Sequence, residues 1–233
     1  VLEINNLCKS YGDRVLIDDL SFALPNGAIL DIIGPKGAGK STLFRMMSGQ
    51  EQPDSSSIVL GDTLKLASIE QFRDSMDNAK TVWEEVSGGP DIMRIGNTEM
   101  PSRAYVDRFN FKGVDQGKPV GELSGGECGR LHLAKLLQVG GNVLLLDEPT
   151  NDLDIETLRV LENALLEFPG CAMVISHDRW FLDHIATHIL DYQDEGKVEF
   201  FEGNFSEYEE YKKRTLGAEA LEPHRIKYKK IAK

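Results

Sequence analysis

Cysteine is scarce in this chain. Cys8, Cys128 and Cys171 are odd in number, far apart and in none of the usual zinc or redox spacings, so neither a disulfide framework nor a structural zinc site is expected, and the setting reads as reducing and cytoplasmic. No apolar run approaches the ~18 to 20 residues that a membrane span needs. The opening Val1-Leu2-Glu3-Ile4 is strand-like rather than a basic-then-apolar signal segment, so no membrane partner is expected. Positive charge is also short: 26 Lys and Arg face 38 Asp and Glu, a net charge of -12, which argues against indiscriminate binding of nucleic acid through a basic surface. Internal repeats and low-complexity tracts are absent as well.

The charge that is present is unevenly placed. From Lys212 to Lys233 there are eight Lys or Arg and two Glu, a basic tail on an acidic body that can reach phosphates or simply be solvated. At 233 residues the chain is long enough to bury a core without staples. It starts on Val1 and goes straight into a strand pattern, which suggests one domain of a longer protein.

Short runs rich in Ile, Leu and Val recur at Ile29 to Ile33, Val143 to Leu146, Ala172 to Ile175 and His188 to Leu190, with helical stretches between several of them. That alternation predicts an α/β fold with a largely parallel sheet covered by helices. The first 25 residues show short strands and turn signals instead, and predict an antiparallel edge layer. Between about residues 81 and 121 the pattern changes: Thr81 to Val86 and Ser102 to Phe111 look helical, and Gly88-Gly89-Pro90 and Gly113 to Pro119 break the run. A small helical lobe, about 81–139, is expected to be inserted in a domain of residues 1–211, with 212–233 as the tail.

The strongest local signal is Gly34-Pro35-Lys36-Gly37-Ala38-Gly39-Lys40-Ser41, a phosphate-loop pattern that follows a strand and opens a helix. Glycines let consecutive N-H groups turn toward one centre, and the helix adds the positive end of its dipole. Lys40 then reaches the outer phosphates of a nucleotide, while Ser41 places a hydroxyl on a magnesium ion. Farther on, Leu144-Leu145-Leu146-Asp147-Glu148 reads as a buried strand ending in two acids. In a parallel sheet both segments end at the C-terminal edge, so Asp147 is placed to hold magnesium and Glu148 to polarise an attacking water.

Leu123 to Glu127, "LSGGE", is a second donor-rich helix start with an affinity for anions. One domain with two phosphate cradles suggests that the second serves a nucleotide held by a partner. Taken singly, Tyr11 reads as an exposed turn aromatic, Gln71 as a strand-end polar residue and His177 as a helix cap.

In order and company these segments resemble an ATP-binding cassette, of the P-loop NTPase class, over essentially the whole chain. The resemblance implies that Tyr11 stacks on adenine, that Gln71 senses magnesium between the lobes, and that Ser124, Gly125, Gly126 and Glu127 form the signature acting in trans. It further implies that Asn151, Asp152, Leu153 and Asp154 cross a dimer interface and that His177 is the switch histidine at the outermost phosphate. "EPTNDLD" (148 to 154), "SHDRWFLD" (176 to 183) and "GNFSEYEEY" (203 to 211) are similar to the ABC-F family, soluble paired cassettes that act on ribosomes. The wording is nearest to the second, C-terminal, cassette of one such member.

The resemblance implies ATP hydrolysis with Mg2+ as cofactor in a composite site. Gly34, Pro35, Lys36, Gly37, Ala38, Gly39, Lys40, Ser41 and Thr42 would bind ATP, Ser41, Gln71 and Asp147 would hold the metal, and Glu148, His177 and Lys40 would be catalytic. A second cassette is the implied partner, together with the ribosome near its tRNA exit site, rRNA and tRNA, in the cytoplasm, with nucleotide state controlling elongation. The alternative is the nucleotide-binding subunit of a membrane transporter. Five residues depart from the family pattern: Lys36, Cys128, Asp31, Ser56 and Asp107. A carboxylate at Asp31, inside the strand before the phosphate loop, is expected to be costly if buried without a partner.

Overall fold

The structure is a computed structural model that describes residues 2–60, 64–68, 76–95, 98–139, 141–151, 153–216 and 229–230. In chain order its elements are β1 Leu2–Tyr11, β2 Arg14–Leu24, β3 Ile29–Ile33, α1 Lys40–Met47, β4 Ser55–Leu60 and β5 Leu66–Ser68. Next come α2 Val82–Ser87, β6 Ile92–Ile95, β7 Thr98–Pro101, α3 Ser102–Arg108, α4 Gly125–Val139, β8 Val143–Asp147 and α5 Ile155–Leu166. The chain continues through β9 Cys171–Ile175, α6 Arg179–Ile185, β10 His188–Tyr192, β11 Val198–Glu202, α7 Phe205–Leu216 and β12 Lys229–Lys230. Two compact units result, residues 1–64 with 170–233, and residues 65–169.

In the first unit, β1 lies antiparallel between β2 and β4, and β12 adds to the free side of β2. This is the antiparallel layer that the opening residues predict. Its core face follows the period of two along β1, with Leu2, Ile4 and Leu7 fully buried. The alternation is broken at Asn6 and opposite it at Asp19, both with positive φ (48° and 58°). The Asn6 side chain donates to Asp19 Oδ1 at 2.7 Å, so two residue types that tolerate this conformation hold a local irregularity in register.

The same unit contains β3 between parallel neighbours β9 and β10, with β11 antiparallel on the outer side of β10. All five residues of β9 and of β10 are buried, as are four of five in β3. Such continuous burial explains why these runs are rich in Ile, Leu and Val rather than alternating with polar residues, although β3 carries Asp31 and β10 carries His188 and Asp191. Asp31 is 0% exposed in the middle of β3, so the condition of burial raised for this residue is met.

Helix α7 covers the outer strands. Tyr208, 1% exposed, packs with Ala186 and Ile189, and Ile33, Phe201, Phe205 and Tyr211 lie against that group. A polar cluster beside it ties the helix down: Asp191 Oδ2 accepts from Tyr208 Oη at 2.7 Å and from Lys212 Nζ at 2.9 Å, and Glu199 accepts from Tyr211 Oη at 3.1 Å. The expected boundary between domain and tail at residue 212 therefore falls inside a helix, and Lys212 is an anchor of that helix rather than a tail charge.

In the second unit, β5 runs parallel to β8, and four α-helices, α2 to α5, are described beside these strands. Thr81 and Glu84 close a capping box at the start of α2, and Gly88 ends the helix at φ 70°. The Tyr105 hydroxyl of α3 donates to Ala134 O of α4 at 2.7 Å, and Glu85 of α2 pairs with Lys135 of α4. The predicted lobe is not purely helical, because β6 and β7 form an antiparallel hairpin between α2 and α3. Short 3-10 turns at 113–117 and 120–122 replace what the glycines and proline there mark as a break. Helix α3 ends at Arg108, three residues short of the sequence expectation, since Phe109 and Asn110 turn out of it.

Of the five departures, Asp107 is exposed on α3, where a charge costs little. Lys36 is also exposed. Cys128, half-buried in the first turn of α4, lies with Sγ 3.9 Å from Leu123 O, and burial pushes its thiol pKa up, which keeps it protonated and unreactive. Ser56 lies in β4.

Candidate functional site

The first unit gathers the phosphate loop at the C-terminal end of β3. Gly34, Gly37 and Gly39 have φ of 135°, 83° and 110°, values that favour glycine and turn the backbone sharply between strand and helix. At Gly34 space is as restrictive as conformation: a Cβ there would lie 2.7 Å from Tyr192 Cβ and 2.9 Å from Tyr192 O. A Cβ at Gly39 would come within 3.2 Å of Leu16. The loop is a cradle with a solid floor, formed by Tyr192 at the end of β10.

Lys40 is 8% exposed, and its Nζ donates to Gly34 O at 2.6 Å and Pro35 O at 3.2 Å. Ser41 and Lys36 are exposed, whereas Ala38 and Thr42 are buried. Thr42 Oγ1 accepts from Arg45 at 3.0 Å. The glycine geometry, the strand-to-helix junction and an ammonium group aimed back at the loop fit a polyphosphate carried with a divalent cation. The Tyr192 hydroxyl, fully buried, has no hydrogen-bond partner among the described residues, and burial raises its pKa.

His177 follows β9, the parallel neighbour of β3, so it leaves the sheet at the same edge as the phosphate loop. It is exposed at the apex of a tight turn in which Ser176 Oγ accepts from Asp178 N at 3.1 Å. Asp178, not His177, caps the following helix, accepting from Phe181 N at 3.1 Å. The bland alternative for His177 is therefore filled by its neighbour. Tyr11 ends β1 with its ring 46% exposed.

The second unit places Asp147 at the end of β8, half-buried, and Glu148 just beyond it. Glu148 has φ 48°, a left-handed conformation that is rare for a side chain with no local capping ability. Backbone strain of this kind concentrates where a side chain must be aimed.

The signature segment does something that its sequence only half announces. Ser124 N and Oγ both donate to Glu127 Oε2 at 2.7 Å, and Lys118 Nζ bonds Glu127 Oε1 at 2.9 Å. Those contacts, led by Lys118, lower the Glu127 pKa to about 2. The helix start thus already holds one carboxylate, its own. Gly125 and Ser124 are exposed and Gly126 is half-buried.

In the segment expected to cross a dimer interface, Asn151 is exposed and Leu153 is half-buried, with Cδ2 3.7 Å from where a Cβ on Gly129 would sit. Asp154 caps α5 through Thr157 N at 2.7 Å and accepts from Arg130 of α4 at 3.4 Å. Gln71 and Asp152 lie outside the described residues. Sequence reasoning missed the Arg130 to Asp154 tie, the Tyr192 floor and a charged group around Tyr11. None has a motif, because each joins residues distant along the chain.

The sequence model of the ABC transporter family matches residues 17–151. The chain belongs to that family. The Energy-dependent translational throttle protein EttA of Escherichia coli (strain K12) is 87% identical over 233 residues, which is all of this chain and 42% of that protein. The protein of the same name from Haemophilus influenzae is 78% identical over the same span. The chain accordingly covers less than half the length of these curated relatives. Among solved structures, a dimeric post-hydrolysis state of the ATP-binding cassette MJ0796 bound to ADP and Pi matches with TM-score 0.64 at 19% identity, covering 87% of this chain and 98% of that one. The fold is that of an ATP-binding cassette, with mainly parallel strands, an antiparallel layer and helices. No helix among the described residues is long and apolar enough to cross a membrane.

Proposed function

We propose that this chain is the second, C-terminal cassette of a two-cassette ABC-F protein in the cytoplasm, and that it binds and hydrolyses ATP with magnesium to set how its host engages the ribosome. The observation that carries the reading is the cradle itself, three left-handed glycines around a buried lysine between a buried strand and an eight-residue helix. Names of relatives as similar as 87% support the translational setting.

In this reading Lys40 and the loop N-H groups hold the β- and γ-phosphates, with Pro35, Ala38 and Thr42 shaping the loop and Lys36 adding a cation at its rim. Tyr11 stacks on the base. Ser41, Asp147 and Gln71 hold the metal, and bound magnesium offsets charge on the transferring phosphate. Glu148 accepts the proton of the attacking water, and His177 donates a hydrogen bond to the outer phosphate.

A partner cassette closes the site with its own signature. Reciprocally, Ser124, Gly125, Gly126 and Glu127 of this chain close over the partner's ATP, while Asn151 to Asp154 run along the shared interface. Contacts with rRNA and tRNA near the tRNA exit site, and control of elongation, belong to the whole protein. The cassette itself would run to the end of α7 at Leu216 rather than stop at residue 211.

The test uses the full-length protein. Glu148→Gln is expected to remove steady-state turnover and keep the protein on ribosomes in ATP, read by co-sedimentation. Release at the wild-type rate overturns the assignment. The family description alone favours the transporter reading, and co-purification with membranes would support it.

A further inference from the structure

Tyr11 is an exposed ring whose hydroxyl is not exposed to choice. It donates to Glu51, a residue from the loop that follows α1. Glu51 is gripped from two further sides, by Lys9 Nζ at 2.9 Å and by Arg45 Nε at 3.1 Å. Arg45 also reaches the Tyr11 hydroxyl at 3.4 Å, and Lys9 Nζ stands 5.1 Å from the centroid of the Tyr11 ring.

The group is fixed at its roots as well. Lys9 donates to Gln52 O at 2.7 Å, and Glu51 N donates to Arg45 O at 3.1 Å. Asp54, next in the same loop, accepts from Ser10 N at 2.7 Å. Arg45 completes a line to the phosphate end of α1 through its 3.0 Å bond to Thr42. Hydrogen bonds from Tyr11, Lys9 and Arg45 lower the Glu51 pKa to about 2, so the carboxylate is charged throughout the neutral range.

We propose that Glu51 is a positioning residue for nucleotide recognition. With Arg45 and Lys9 it locks the ring of Tyr11 at a set orientation relative to the phosphate-binding helix, so that the base platform and the phosphate cradle fit one nucleoside triphosphate at once. This rests on the reading of Tyr11 as the base-stacking residue. A ring on a free χ1 must lose rotamer freedom when a base lands on it, and a ring held by its hydroxyl has already lost it. The lock reads no base edge. It strengthens stacking on any purine without choosing adenine over guanine.

The experiment compares Mg-ATP with Mg-tripolyphosphate, which has the phosphates and no base, by calorimetry on the full chain. Glu51→Ala and Tyr11→Phe should each weaken ATP binding about three- to tenfold and leave tripolyphosphate unchanged, and the double variant should be no weaker than either single one. Glu51→Gln, which keeps the shape and a hydrogen-bond acceptor, should recover part of the loss, and thermal unfolding checks that each variant is folded.

If Tyr11→Ala weakens ATP selectively while Glu51→Ala and Tyr11→Phe do not, the lock is overturned and the stacking role stands. If Tyr11→Ala also leaves the ratio of ATP to tripolyphosphate unchanged, the stacking role falls and the lock with it. Equal loss of ATP and tripolyphosphate in Glu51→Ala would mean that Glu51 supports the phosphate loop instead, and also overturns the proposal.

Discussion

A single side chain, Tyr192, shows how local packing decides what the phosphate loop tolerates. Its Cβ and carbonyl press against Gly34, while its phenol hydroxyl is buried without a hydrogen-bond partner among the described residues. An unpaired buried hydroxyl costs about 1–3 kcal/mol, so Tyr192→Phe is expected to raise stability by roughly 1 kcal/mol in urea unfolding and leave ATP affinity unchanged. Gly34→Ala is the opposite case. It must displace backbone atoms of Tyr192 from a φ that alanine resists, and loss of measurable ATP binding with a lowered unfolding midpoint is the expected result.

The loop glycines, Lys40 and Ser41 were legible in the sequence because their chemistry depends on neighbours in the chain. Tyr192 and Glu51 were not, since their roles come from strands and loops that meet only after folding. Glu148 was legible as an acid at a strand end, but its left-handed backbone was not, because nothing in an Asp-Glu pair announces a dihedral.

At the scale of elements, helix starts were the most readable feature. The pattern of a hydroxyl residue followed three positions later by Glu marks both Thr81 to Glu84 and Ser124 to Glu127, and in both places the side chains close reciprocally on the backbone or hydroxyl. The β6 to β7 hairpin was missed because strands of four residues leave too short an alternation to stand out beside two helices.

The start of α4 carries a pH signature. The folded pKa of Glu127 lies near 2 against an ordinary value of 4.5. Its contribution is therefore present above about pH 4.5 and is lost as pH falls through about 2. Glu127→Gln should lower stability by ~1 kcal/mol at pH 7, the usual worth of a cap, and the gap to wild type should shrink steadily between pH 4.5 and 2.5. Urea unfolding at several pH values checks this, and a gap that stays constant with pH would assign the effect to shape rather than charge.

For the molecule as a whole, the sequence announced the cassette fold, and the family match over residues 17–151 agrees with it. The sequence did not announce how much of the basic tail is spent on folding. Lys212 is part of α7 and reaches Asp191, whose side chain is 8% exposed. Removing one partner from such a pair leaves a carboxylate held by the Tyr208 and Gln193 side chains but no cation, so Lys212→Ala is expected to cost about 2–3 kcal/mol. Hydrogen exchange should show the loss concentrated in α7. The same substitution on the surface of a solvated tail would cost almost nothing.

The two roles of β10 sit on consecutive residues. Asp191 faces the helix that closes the first unit, and Tyr192, one step on, faces the phosphate loop. Because side chains along a strand alternate, sliding this strand by one position would exchange those faces and undo both attachments together. Insertions or deletions inside 188–192 should therefore be lethal to the fold, and any attempt to graft this loop onto another scaffold has to carry that strand with it in frame.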